Sequence, residues 1–250
     1  MLFLFDALNR LLNRWFAGPI DVLLAHLGIH PAHPHYPITN ALSDELFCCI
    51  VLLLFFVAVR LTLSVEKPGV IQMTAEAVYN FVDEQGESII GHGREKYMPY
   101  AGAILLFVLA CNLLGLLPGI ATPTSSPEVP LGIAVLTFVL YNSVGLIANG
   151  PVKYAKHFMG PVWWMAPFML PLEIVSHLAR ILSLTTRLYA NMFASDLLTA
   201  VFFSIFPIGV PIAFLALHLG VAVIQSYVFM LLTMIYLSGA LAHDEEAAAM

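Results

Sequence analysis

The sequence predicts an all-α, polytopic membrane protein, with three upright spans, an amphipathic surface helix and a long, steeply tilted C-terminal helical hairpin. Three observations carry this. Sixty per cent of the 250 residues are hydrophobic and only 10% are Asp, Glu, Lys or Arg, against about 25% in an ordinary soluble protein. Apolar runs recur at the length a bilayer demands, about 20 residues per helix. Toward the C-terminus two apolar stretches are far longer than that. The net charge of −6 argues against nucleic acid, which selects clustered Lys and Arg. Cys48, Cys49 and Cys111 all lie in apolar runs. Their odd number and lack of metal spacing make them small buried hydrophobes and not a disulfide framework.

Residues 1–36 read as an N-terminal amphipathic, His-rich segment on the outer face. Asp6, Asn9, Arg10 and Asn13 fall at helical spacing, as in a helix lying on the membrane surface. His26, His30, His33 and His35 follow among prolines. They read as surface loop histidines, with metal binding or proton buffering as the alternative. Residues 37–250 form a single membrane domain.

The first span is Leu46 to Val65, closed by Lys67-Pro68-Gly69. Val70 to Ile90 sets Ile71, Val78, Phe81 and Val82 apart from Glu76, Asp83, Glu84 and Glu87, the pattern of an amphipathic helix. Its acidity suits a protein partner better than anionic lipid. Tyr97 to Pro118 is uncharged over 22 residues and makes the second span. Thr122 to Pro130 reads as a Pro/Ser/Thr turn region. Val129 to Val152 is the third span, broken at Gly150-Pro151. Pro171 to Phe206 and Pro211 to Ala242 are then helices of about 54 and 48 Å, within a hairpin spanning about 167–206 and 211–242 that turns at Phe206-Pro207-Ile208-Gly209. A hydrocarbon core is only about 30 Å thick, so a tilt beyond the usual average of about 20° follows. Lys67, Arg94 and Lys96 after the first span, and Lys153 and Lys156 after the third, place those loops in the cytoplasm. The N-terminus is then outside and the C-terminus inside; Arg10 and Arg14 weigh the other way.

Ionisable residues inside a bilayer cost about 2.5–3.5 kcal/mol each on insertion scales, so each needs a reason. The long helix holds Glu173, His177, Arg180, Arg187 and Asp196. With Glu173 at zero and about 100° per residue, His177 falls at about 40°, Arg180 at about −20°, Arg187 at about −40°, Asn191 at about 0° and Ser195 at about 40°. Asp196, at about 140°, lies off this stripe, which separates two polar environments on one helix. Glu173 and Arg180 could pair through His177 as an internal salt-bridge network. Arg187 has no acidic residue three or four positions away, so its counter-charge must come from another helix or another chain. His218, Gln225 and Tyr236 share a face of the following helix. His218 is a structural histidine or, because folding the hairpin brings it toward Asp196, a proton carrier.

Ser183-Leu184-Thr185-Thr186-Arg187-Leu188-Tyr189-Ala190-Asn191-Met192-Phe193-Ala194 resembles the signature of subunit a of the F-type rotary ATP synthase. Asn112-Leu113-Leu114-Gly115-Leu116-Leu117-Pro118 and the stretch from Gln225 to Leu237 resemble two further motifs of that family. The likeness spans roughly residues 37–243. It departs at Asp196, where many relatives carry Glu, and at Ala190, where many carry Gly. The resemblance implies a stator subunit beside a ring of c subunits, with two proton half-channels. Arg187 matches the essential arginine that pairs with the ring carboxylate, and Gln225 the polar residue facing it. Asn191, Asp196, His218 and Gln225 match the inlet; Glu173, Ser176, His177, Ser183 and Tyr236 match the outlet. It also implies peripheral-stalk b subunits and the remaining ATP synthase subunits as partners, no cofactor or metal, no enzymatic activity in the chain itself, and a cell inner (plasma) membrane location. A secondary ion transporter or channel is the alternative, but the internal repeat common there is missing. An intramembrane hydrolase lacks its His-Glu-x-x-His or Gly-x-Ser-x-Gly motif.

Overall fold

A computed structural model describes residues 9–15, 40–64, 68–91, 93–117, 122–159, 166–205 and 210–241. Six helices are complete in it: α1 (Asn40–Leu61), α2 (Val70–Ile89), α3 (Met98–Leu114), α4 (Glu128–Met159), α5 (Ala166–Ile205) and α6 (Val210–Leu241). Residues 9–15 are also helical, and no strand occurs among the described residues. The His26–His35 group, the 206–209 turn and the tail after 241 lie outside the described residues.

Four helices are long and apolar enough to cross a membrane: Ala41–Leu61, Glu128–Ile147, Pro167–Ile205 and Ile212–Leu241. The first begins and ends earlier than the expected 46–65. In α4, Gly150 adopts φ 72°, ψ 157°, a left-handed backbone open to glycine, and breaks the helix at the predicted place. α5 and α6 match the expected hairpin arms to within a residue at each end, with Pro171 accommodated inside α5.

The second expected span, 97–118, is shorter. α3 stops at Leu114 after 17 residues, about 25 Å of helix. The expected turn region supplies the reason. Thr122, Pro123 and Thr124 are buried in a 3₁₀ turn, Pro123–Ser125, against α1, α3, α4 and α5. Irregular backbone is tolerated at membrane depth only where protein encloses it.

The core forms where α3, α4, α5 and α6 meet: Ile104 and Val108, Val129 and Ile133, Leu184, Leu188 and Met192, and Phe229. Lipid tails are as apolar as leucine, so close packing holds these helices together. The i, i+4, i+8 row of Leu184, Leu188 and Met192 fixes how α5 is rolled. Arg187 and Asp196 then lie on either side of the row, about 100° and 80° from its centre.

α2 docks across α3 and α6 through Val82, Met98, Ala101, Met230 and Met234. Tyr227 Oη donates to Gln85 Oε1 at 3.0 Å and Ser238 Oγ to the Ile89 carbonyl at 2.8 Å. Arg94 donates to both oxygens of Asp83 at 2.9 and 3.1 Å, and this pairing holds the Asp83 carboxyl below its ordinary pKa. Cys48 and Cys111 are buried in one apolar cluster, while Cys49 is exposed.

Candidate functional site: a polar path on either side of Arg187

Asp196 is held by the buried turn. The Thr122 backbone N–H donates to Asp196 Oδ2 at 3.2 Å and the Thr122 hydroxyl to Oδ1 at 2.8 Å. On the other side His218 Nδ1 lies 3.6 Å from Asp196 Oδ1, with the imidazole buried and a quarter of the Asp196 side chain exposed. His218 Nε2 lies 3.3 Å from the Asn112 carbonyl. A carbonyl only accepts, so Nε2 carries a hydrogen and Nδ1 is the nitrogen that faces Asp196. Asn112 is fixed in turn: Thr124 Oγ1 donates to its Oδ1 at 2.6 Å, and its Nδ2 donates to the Ala222 carbonyl at 3.5 Å. The expected approach of Asp196 and His218 is therefore present, and Asn112 links α3 to the buried turn and to α6. Asn142 bonds its own helix, at the Phe138 carbonyl.

Arg187 stands on an exposed face, and no carboxylate pairs with it among the described residues. One turn on, Asn191 Nδ2 donates to Gln225 Oε1 at 3.1 Å. The Gln225 carbonyl thus faces Asn191 across the hairpin and not Arg187. A groove of about 300 Å³ opens beside this bond, lined by Asn191, Ser195 and Gln225 among apolar side chains of α5 and α6.

The second cluster begins near Glu173, 14 residues before Arg187, or about 21 Å along the axis. Glu173 Oε1 lies 3.4 Å from His177 Nε2. Tyr141 Oη lies 2.8 Å from His177 Nδ1, and the two rings stack at 5.9 Å. Arg180 does not complete the expected bridge to Glu173. Its guanidinium lies 5.2 Å above the Tyr236 ring, which lies 5.8 Å from Tyr141. The physical reason is the aromatic floor that α4 and α6 offer a cation. Ser176 and Ser183 share this helix, and no hydrogen bond among the described residues joins them to the cluster.

Thr122, Thr124 and Tyr141 were absent from the sequence reading of the site. The threonines lie in a stretch whose composition reads as a turn, and Tyr141 looks like one more aromatic in an apolar run. Only the fold brings them to Asp196, Asn112 and His177.

These features define a multi-pass, all-helical membrane protein with two separate polar clusters on one helix and, between them, an arginine that no carboxylate pairs with among the described residues. The profile of the family described as ATP synthase A chain matches residues 45–238. ATP synthase subunit a of Koribacter versatilis (strain Ellin345) is 48% identical over 235 residues, covering 94% of this chain and 96% of that relative. The subunit a of Solibacter usitatus (strain Ellin6076) is 43% identical over 232 residues, 93% and 99% of the two chains. That of Helicobacter hepaticus (strain ATCC 51449 / 3B1) is 41% identical over 180 residues, 72% and 80%. The chain belongs to the ATP synthase A chain family.

Proposed function

We propose that this chain is the proton-conducting stator subunit of a rotary ATP synthase, working beside a c-subunit ring and held by peripheral-stalk b subunits in the cell inner membrane. The observation that carries the reading is Arg187, exposed and without a carboxylate partner among the described residues, between two polar clusters. Asn191, Asp196, His218 and Gln225 form the inlet half-channel. Glu173, Ser176, His177, Ser183 and Tyr236 form the outlet.

The chemistry follows from charge. A guanidinium stays protonated at every relevant pH. Opposite unit charges about 4 Å apart attract by about 4 kcal/mol at an effective dielectric of about 20. That equals about three pK units in favour of the ionised carboxylate. Each ring carboxylate arriving at Arg187 therefore releases its proton toward the outlet, and recovers one from the inlet after it passes. The fixed positive charge also blocks protons from crossing directly between the half-channels. The N-terminus is outside, the C-terminus is cytoplasmic, and the hairpin arms, about 48 and 60 Å long, lie steeply tilted. Nucleotide chemistry belongs to partner chains.

The test is ATP synthesis in inverted vesicles carrying the complete complex. Arg187→Ala should assemble yet abolish proton-driven synthesis. Arg187→Lys should fail as well, because an ammonium is more strongly hydrated and lacks the planar fork. Near-normal synthesis in assembled Arg187→Ala refutes the proposal.

A further inference from the structure

His218 is anchored at a helix end. Asn112 stands in the last turn of α3, where a helix leaves its final carbonyls without intrahelical donors. The Leu116 N–H bonds to the Leu113 carbonyl at 3.1 Å and not to that of Asn112. The Asn112 carbonyl is therefore left for a side chain, and His218 Nε2 lies 3.3 Å from it. Helix ends fray, so α3 alone does not fix where this carbonyl stands.

The Asn112 side chain supplies the missing constraint. Its Nδ2 donates to the Ala222 carbonyl at 3.5 Å, and its Oδ1 accepts from Thr124 Oγ1 at 2.6 Å. The Ala222 oxygen can only accept, so the amide has one orientation and the Thr124 hydroxyl is the donor to it. Ala222 follows His218 by about one turn of α6. Asn112 thus grips α6 at two levels, with its carbonyl and with its amide. Thr124, Asn112, Ala222 and His218 are all buried, so a partner lost here leaves a polar group unpaired. The same turn holds the facing carboxylate, because Thr122 donates to both oxygens of Asp196. One 3₁₀ turn therefore governs both sides of a 3.6 Å separation: Asp196 directly, and His218 through Asn112.

We infer that Thr124 is a positioning residue of the inlet: acting through Asn112, its hydroxyl sets where the His218 ring stands opposite Asp196. This deepens the half-channel reading above and rests on it. Among the described residues the Thr124 side chain makes one hydrogen bond, to Asn112, which is its polar route to the pair. A threonine that merely filled the core would behave in the opposite way, depending on its volume and not on its hydroxyl.

The experiment is ATP-driven proton pumping by the complete complex in inverted vesicles, compared at equal assembly. Thr124→Ser keeps the donor and gives up one methyl group, a change in packing and not in the bond, so pumping should stay within about a factor of two of wild type. Thr124→Val keeps the branched shape and loses the donor. It should pump about tenfold more slowly, the scale of leaving a buried acceptor unpaired. Thr124→Ala, smaller than the native residue, repeats the loss of the donor where Thr124→Val does not assemble. In a His218→Ala background the same loss should cost less than about twofold, because its effect passes through a ring that is no longer there. Thr124→Ser as slow as Thr124→Val or Thr124→Ala would overturn the inference. So would wild-type pumping by Thr124→Val, or a defect that keeps its full size without His218. Wild-type pumping by His218→Ala would instead remove the inlet reading beneath it, and the role of Thr124 with it.

Discussion

Gly115 closes α3 where the buried turn passes over it, and a single methyl group there tests the proposed inlet. A Cβ added to Gly115 would overlap the Thr122 hydroxyl, and would come within 2.8 Å of Thr122 Cβ and 3.2 Å of its Cα. The backbone distance cannot be relieved by a rotamer change. Turning the side chain removes the overlap with Oγ1 but also takes Oγ1 away from its 2.8 Å bond to Asp196. Gly115→Ala should therefore cost a hydrogen bond to a charged acceptor, about 1.5–3 kcal/mol. Overpacking adds about 1–3 kcal/mol. The first cost alone corresponds to about a tenfold or greater loss in the population of correctly held Asp196. ATP-driven proton pumping into vesicles is the assay, with assembly checked by subunit content. Thr122→Ala should lose the same bond without the clash. Because both variants act through one hydroxyl, Gly115→Ala/Thr122→Ala should be no slower than the poorer single variant. Pumping in Gly115→Ala within a factor of about two of wild type would refute the reasoning, as would independent multiplication of the two defects.

Two further outcomes follow from the geometry. His218 Nδ1 and Asp196 Oδ1 lie 3.6 Å apart, so one relay is expected: either single alanine variant should slow pumping without uncoupling, and Asp196→Ala/His218→Ala should be little worse than the poorer single. Rates that multiply independently return His218 to a structural role. At α2, the Asp83 carboxyl is held below its ordinary pKa by Arg94, so the pair's contribution is complete above about pH 4 and is lost only as pH falls through the lowered value. Hydrogen exchange of residues 83–91 should then be equally protected from pH 5 to 8 beyond the intrinsic pH effect, with Asp83→Asn already looser at neutral pH; protection lost within that range in wild type contradicts the assignment.

The helices and the stripe on α5 were legible because period and length are local properties. Leu184, Leu188 and Met192 repeat at the helical spacing, and Asp196 is the only acid in a long apolar stretch, so its isolation was visible before any fold. The partners of these residues were not legible. Thr122 meets Asp196 across 74 positions and Tyr141 meets His177 across 36, and no short pattern encodes either approach. Arg180 shows the opposite error. Local spacing suggested Glu173, but an aromatic ring on α6 competes for the guanidinium once the helices pack. The end of α3 went too far by a few residues because Leu116 and Leu117 are apolar, while the interruption depends on how closely Thr122 lies over Gly115.

The row of Leu184, Leu188 and Met192 restricts which part of the machine can move. Sliding α5 by one residue would turn it by about 100° and lift it by about 1.5 Å. Its three core side chains would leave their sockets together, and Asp196 would swing off both Thr122 and His218. No such motion can serve as a shutter between the two polar clusters. In the proposed mechanism the carrier must therefore travel past a stationary wall, and the two polar clusters stay in register because one helix was rolled and locked once, when the chain folded.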